Sequence, residues 1–231
     1  MRIAVIGAGS VGRSIARELI HNTHDVLIID EEPDPDRTAR VPAAEWLLGD
    51  ACELSTLTQA ELHTYDHVVC ATGDDKVNLV VSFLAKTEFA IARTVARVNN
   101  PRNEWLFNDS WGVDVAVSTP RLMTALVEEA VAVGDLVRLF EFQQGNVHMV
   151  ELTMPDSSPY VGRRVGELPL PPDTAMITIL RDGRALTPVP DEMLEVGDEV
   201  LFMCPPQAES ALALTLNPDA HPRDFHDDDD D

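Results

Sequence analysis

The chain has 231 residues, 45% of them apolar and 25% charged, enough to build two small domains with buried cores. No run of about eighteen apolar residues occurs, so no membrane-spanning helix is expected. The formal net charge of −23 repels phosphate backbones and bare anionic lipid, which argues against nucleic acid as a partner. Met1 leads straight into a short apolar run and a glycine loop, too short for a signal-peptide core, so a cytoplasmic protein is expected. Cys52, Cys70 and Cys204 share no metal or redox spacing and read as reduced thiols.

Strand and helix signals alternate through the first half. Arg2–Ile6 is a buried strand, and Val11–Ile20 has the apolar spacing of a helix. Asp25–Asp30 is a second strand, followed by a proline-bearing stretch that admits only a short helix. Glu45–Leu48 reads as a third strand, Ser55–Leu62 as a helix and Asp66–Ala71 as a fourth strand. Lys76–Phe89 is a long helix with Val77, Val80, Val81, Leu84 and Ala85 on one face. Arg93–Val98 is a fifth strand, Asn103–Asn108 a short helix and Val113–Val117 a sixth strand. Six such units imply an α/β fold with a Rossmann-like, doubly wound parallel sheet.

Thr119 is placed to cap a further helix with Pro120 at its first position, and Gly134 to end it. Its apolar face (Leu122, Met123, Leu126, Val127, Ala130, Val131) fits packing on its own sheet or crossing to a partner subunit. Beyond it, Val137–Phe142 and Asn146–Thr153 form a hairpin around Gln144-Gly145. Ala175–Leu180 is a strand, Asp182-Gly183 a turn, Glu199–Cys204 a strand and Pro206–Leu214 a helix. The expected organisation is a nucleotide domain over 1–118, a linker helix over 119–134, a small α+β domain over 135–216, and a disordered acidic tail over 217–231.

Gly7-Ala8-Gly9-Ser10-Val11-Gly12 matches G-x-G-x-x-G between an apolar strand and a helix. Gly7 permits the tight turn, Gly9 lets a pyrophosphate approach the backbone, and Gly12 lets helix and strand pack closely. The helix N-terminus offers N–H groups to phosphate. Asp30, ending the second strand, is the acid for a ribose diol, and with Glu31 and Glu32 it repels a 2′-phosphate. Two loops at strand ends supply further candidates. Asp50, beside Gly49 and Ala51, meets the adenosine side or caps a helix. Thr72 and Gly73 line phosphates or form a plain turn. Arg97 meets phosphate or is a surface arginine. His63 and His67 read as surface residues rather than metal ligands, and Arg163 and Arg164 as a solvated pair.

With these motifs in place the chain resembles the TrkA/KtrA regulatory subunits of bacterial potassium uptake systems, whose unit is the RCK domain. The resemblance runs from Met1 to about Leu214. It rests on Ile6–Gly12 with Asp30, Gly49-Asp50-Ala51, Ala71–Asp74 with Asn78, and Ala96–Asn99 before Pro101. Tyr160–Arg163 and Leu194–Val200 resemble the RCK C-terminal domain. The resemblance implies a subunit that dimerises and builds rings, alone or with a paralogous RCK subunit, under a transmembrane potassium-translocating protein at the inner face of the membrane. It also implies that NAD(H), ATP or ADP acts as effector at Gly7–Gly12, Asp30, Asp50, Ala51, Thr72, Gly73 and Arg97. Several members carry a metal-serving glutamate after the proline matching Pro120; here Arg121 stands there, a candidate to meet phosphate directly.

The expected function is therefore a nucleotide-sensing, non-enzymatic regulator of potassium uptake. Two alternatives are an NAD-dependent oxidoreductase and a structural ring subunit with a vestigial site. Against the first, no His, Lys or Tyr is marked as an acid or base; against the second, the glycine loop and Asp30 are intact.

Overall fold

The structure, a computed structural model, describes residues 1–32, 35–131, 133–142 and 146–219. Its contacts divide it into two units, Met1–Arg121 and Leu122–Asp231, with the division inside helix α5 (Thr119–Val131). The acidic run Asp227–Asp231 lies outside the described residues.

The first unit is built from β1 (Arg2–Ile6), α1 (Ser10–His21), β2 (Asp25–Asp30), α2 (Pro35–Ala39), β3 (Glu45–Leu48), α3 (Leu54–Gln59), β4 (His67–Cys70), α4 (Asp75–Thr87), β5 (Arg93–Val98) and β6 (Val115–Ser118). The strands form one sheet in the order β3-β2-β1-β4-β5-β6, with every pair parallel. Side chains on β1 and β2 alternate between two apolar layers. Ala4, Ile6, Leu27 and Ile29 join one with α3 and α4, while Val5, Val26 and Ile28 join the other with α1. Apart from their polar end residues both strands are therefore apolar. The sheet order reverses between β1 and β4, and the loops leaving these strands diverge to form a crevice.

Some expected elements are divided or turned. The helix expected over Ser55–Leu62 stops at Gln59 because Glu61 adopts a left-handed φ of 50°, and a 3-10 turn, Leu62–Thr64, follows. The short helix after β5 is a 3-10 helix, Pro101–Leu106, whose first turn is capped by Asn100 accepting the Arg102 N–H at 3.1 Å. Helix α4 buries Asn78, Leu79, Val81, Ser82 and Ala85, whereas Val80, expected inside, is 37% exposed. The inward stripe carries polar groups because they are satisfied there. Ser82 Oγ donates to the Asn78 carbonyl at 2.8 Å, and the Asn78 amide bonds the backbone on either side of it.

The second unit holds β7 (Val137–Phe142), β8 (Val147–Thr153), β9 (Ala175–Arg181), β10 (Arg184–Leu186), β11 (Glu199–Cys204) and α6 (Pro206–Leu216). Its sheet is antiparallel, in the order β10-β9-β11-β8-β7, over a core that includes Leu152, Ile179, Leu194, Phe202, Leu212 and Leu216. Strand β10 was not anticipated. Asp182 and Gly183, at φ 51° and 71°, reverse the chain tightly enough to pair Arg184 with Arg181. The turn expected at Gln144-Gly145 lies outside the described residues. Gly134 stands past the end of α5 and is bonded to this unit: its N–H donates to Thr153, and its carbonyl accepts from Asn217. Asn217, the first residue of the expected tail, is buried.

Two buried carboxylates in this unit are paired with arginines. Glu209 accepts a two-pronged bond from Arg138, at 3.0 and 2.8 Å, and contacts the buried ring of His148. Asp198 is gripped by Arg181 at 2.7 Å through both Nε and Nη2. On the surface, Arg164 pairs with Asp191, and Arg163 lies over the Tyr160 ring. Burial pushes the Cys70 thiol up to about 12 and the Cys204 thiol to about 11. Cys52 is raised to about 11 by burial and then by the Asp50 charge. All three are free and protonated at neutral pH, as ordinary structural thiols are.

One carboxylate organises the segment that follows β5. Asp75 is 8% exposed and accepts the Asn99 N–H at 2.7 Å, the Asn99 amide at 3.0 Å, the Asn100 N–H at 3.0 Å and the Asn103 amide at 2.8 Å. Burial by itself would raise its pKa, but these hydrogen bonds to the charged form outweigh it and hold the carboxyl below its ordinary value. A depressed folded-state pKa contributes stability above the unfolded value of about 3.9 and loses it as pH falls further. Asp75→Asn should thus cost about 1.5–3 kcal/mol at pH 7. In urea denaturation the gap between wild type and variant should close as pH drops below about 4.

Candidate functional site

The crevice at the switch between β1 and β4 is a cleft of about 450 Å³, within the range of about 300–1,000 Å³ that holds small organic ligands. Its floor is the glycine loop. Gly7 has φ +98° and packs against Thr72, where a side chain would strain the backbone and press on Thr72. Gly12 lies one turn into α1, and a Cβ there would stand 1.9 Å from the Gly7 carbonyl, so only glycine lets the helix close on the loop. Gly9 is different: a Cβ added to it meets no atom within 4 Å, and the residue lines the cleft.

Helix α1 begins on Gly9 without a side-chain cap and without an acid in its first turn. Its first N–H groups and the positive end of its dipole therefore face the cleft at Ser10 and Val11. Helix α4 is closed in contrast, since Asp74 caps it by accepting the Lys76 N–H at 2.8 Å.

Asp30 ends β2 with its side chain 14% exposed. One oxygen accepts the Ala8 N–H across the loop, and the other accepts the Glu32 N–H at 3.0 Å. The carboxylate is thereby fixed in orientation while still lining the cleft. Asp50 also lines it, and accepts the Cys52 N–H at 2.8 Å in a turn that precedes α3. The cap position of α3 belongs to Glu53, so the alternative of Asp50 as a helix cap does not hold.

The opposite wall is the β4–α4 loop. Asn78, fully buried, accepts the Thr72 N–H at 3.0 Å and shares the Thr72 hydroxyl at 2.7 Å. It also donates to the Arg97 carbonyl at 2.8 Å. This one amide sets the Thr72-Gly73 turn against β5. Gly73, like Gly9, has no atom within 4 Å of an added Cβ. The Arg97 side chain lines the cleft and donates from Nε to the Thr119 hydroxyl at 3.3 Å. Thr119 is the first residue of α5, not the residue before it.

Of the residues singled out from sequence, Gly7, Gly9, Ser10, Val11, Asp30, Asp50, Ala51, Thr72, Gly73 and Arg97 line this cleft. Ala8 is buried behind it and Gly12 lies beneath the loop, so both shape the site without facing it. Arg121 is not among the lining residues; its Nε meets Glu104 at 2.6 Å. Sequence reading missed Arg37, which enters the cleft from α2 and pairs with Glu32 at 2.9 Å and Asp30 at 3.6 Å. It missed the anchoring role of Asn78 as well. Polar residues at helical spacing among apolar ones, Asp75, Asn78 and Ser82, were the available signal for the second, and the first had none.

Residues 3–119 match the TrkA-N domain model and residues 149–217 the TrkA-C domain model. The chain belongs to the TrkA family. A Trk system potassium uptake protein TrkA from Mycobacterium tuberculosis is 58% identical over 218 residues, covering 94% of this chain and 99% of that one. A TrkA homolog from Methanothermobacter thermautotrophicus is 30% identical over 201 residues, covering 87% and 92%. Among solved structures, a GsuK channel bound to NAD has a TM-score of 0.65 at 16% identity, and the GsuK RCK domain 0.62 at 16%. Each covers 93% of this chain, which spans 39% and 47% of those longer chains. These likenesses establish the RCK-type fold of this TrkA family member.

The glycine geometry separates two substitutions that look alike on paper. Gly9→Ala should leave thermal stability within about 1 kcal/mol of wild type, because its methyl enters open space, while crowding any ligand on the loop. Gly12→Ala should destabilise the unit by several-fold more, through the clash with Gly7. Thermal denaturation of both variants, read beside nucleotide titration, checks this pair.

Proposed function

We propose that this chain is a nucleotide-sensing regulatory subunit of a potassium uptake system, binding an adenine nucleotide with an unmodified ribose. The observation that carries the reading is the convergence on one cleft of the open α1 N-terminus and the fixed Asp30 carboxylate. The first suits a pyrophosphate and the second a ribose diol. The residues present fit such a group: the Gly9 and Gly73 positions leave room for phosphate against bare backbone. Asp30 and Asp50 then take the adenosine side and Thr72, Gly73 and Arg97 the phosphate side. Bound NAD in the GsuK channel and bound AMP in a Kef C-terminal domain of the same fold (TM-score 0.50, 20% identity) support this choice of ligand class.

Potassium uptake is the role named for the TrkA relatives, and this chain matches one of them over nearly its full length. Among the described residues no helix is long and apolar enough to cross a membrane. On this reading the subunit acts at the inner face of a membrane partner that carries the potassium. The subunit assembles with copies of itself or with a paralogous RCK subunit. Nucleotide binding shifts that assembly between arrangements by its differential affinity for them, typically about 1–3 kcal/mol. The subunit, on this reading, signals nucleotide occupancy rather than turning the nucleotide over.

Calorimetric titration with NADH, NAD, ATP, ADP and NADPH tests the reading. The expected result is micromolar affinity for one or more of the four lacking a 2′-phosphate, with NADPH much weaker. Arg97→Gln should weaken that binding by about 10–100-fold, the worth of a hydrogen bond to a charged group. Absence of binding to all five would overturn nucleotide sensing, and NADH or ATP turnover by purified protein would overturn the non-enzymatic assignment.

A further inference from the structure

We infer that Arg37 and Glu32 set the ribose selectivity of the cleft, with Glu32 acting as a positioning residue that withholds Arg37 from a 2′-phosphate. This rests on the nucleotide reading above and adds to it a residue that the glycine-loop and ribose-acid motif does not contain.

Arg37 lies on α2 and lines the cleft beside Asp30. An arginine near the ribose acid is the group that ordinarily accommodates a 2′-phosphate, because its planar fork matches the phosphate oxygens. Here the fork is turned onto carboxylates. Nη2 donates to Glu32 at 2.9 Å, and Nη1 stands 3.6 Å from Asp30. Glu31 lines the same cleft.

The two kinds of ribose meet different conditions at this corner. A free 2′-hydroxyl needs only an acceptor. Asp30 supplies it, already aimed by the Ala8 and Glu32 N–H groups, and gives up at most its 3.6 Å contact with Arg37. A 2′-phosphate must instead draw Arg37 from Glu32 and then sit against Asp30 and Glu31. Selectivity therefore depends on how firmly Glu32 keeps the arginine. Glu32 is 66% exposed and Arg37 30% exposed, so substitution of either opens no core. Glu31 carries the same charge on the same cleft without an ion pair to Arg37, which makes it the matched control.

The test is calorimetric titration of the full chain with two ligand pairs that differ only at the 2′ position: NADH with NADPH, and AMP with adenosine 2′,5′-bisphosphate. Wild type, Glu32→Gln, Glu31→Gln and the double variant Glu32→Gln/Arg37→Gln are compared. Glu32→Gln should narrow the preference for the unphosphorylated ribose by about tenfold, Glu31→Gln by about threefold or less, and the double variant should restore the wild-type preference or widen it. Equal narrowing by Glu32→Gln and Glu31→Gln, or a double variant that stays narrowed, would mean that simple repulsion sets the selectivity and would overturn the role of Arg37. A wild-type protein that binds the unphosphorylated ligands while Glu32→Gln leaves the preference unmoved would overturn this inference alone. A wild-type protein that binds none of the four would overturn the nucleotide reading together with it.

Discussion

The hydrogen bond from the Ala8 N–H to the Asp30 carboxylate joins the two halves of the site. It ties the loop after β1 to the end of β2 across neighbouring parallel strands, so the carboxylate cannot turn without disturbing the loop. The loop in turn can sit there only because Gly7 takes a positive φ and Gly12 lets α1 close upon the Gly7 carbonyl. Asp30 is thus a structural anchor as well as the acceptor offered to a ligand. Its removal would disturb loop and ligand site together, so positions such as Gly9, Arg97 and Glu32 separate binding from folding more cleanly.

The far wall follows the same design with different chemistry. Asn78 is buried on α4 and satisfies the backbone of the Thr72 turn and of β5 at once. Asp75, three residues earlier on the helix, does likewise for the chain that leaves β5. Both are polar groups inside an apolar layer and are stable there because their hydrogen-bonding capacity is used. Through them the geometry around Arg97 is fixed from below, and Arg97 itself reaches the first residue of α5. One side chain thus joins this wall of the cleft to the start of that helix.

Charge is divided across the cleft in keeping with this layout. The carboxylates Asp30, Glu31, Glu32 and Asp50 gather at the ends of β2 and β3, while Arg97 and the open end of α1 lie toward β1 and β5. On the proposed reading, the acceptors meet the ribose diol of an adenine nucleotide and the donors its phosphates. In a chain with a net charge of −23, the helix dipole and Arg97 mark the part of the cleft where an anion is tolerated.

The parallel sheet, the glycine loop, Asp30, the loops after β3 and β4, and Arg97 were legible in the sequence. These depend on local regularities: apolar runs bounded by glycine, helical spacing, and the fixed distance from loop to acid. Tertiary structure decided the rest, because it depends on which distant groups meet. The inward face of α4 was misjudged at Val80 and Asn78, since burial of an amide is favourable only where backbone partners from other strands reach it. The helix after β3 ended early because of one left-handed residue, Glu61, whose type does not announce it. Arg121 turned to Glu104, and Arg37 turned into the cleft, by ion pairs that no spacing rule encodes. Spacing along the chain specifies what one element needs to form; which side chain closes a site is settled only when separate elements bring their charges together.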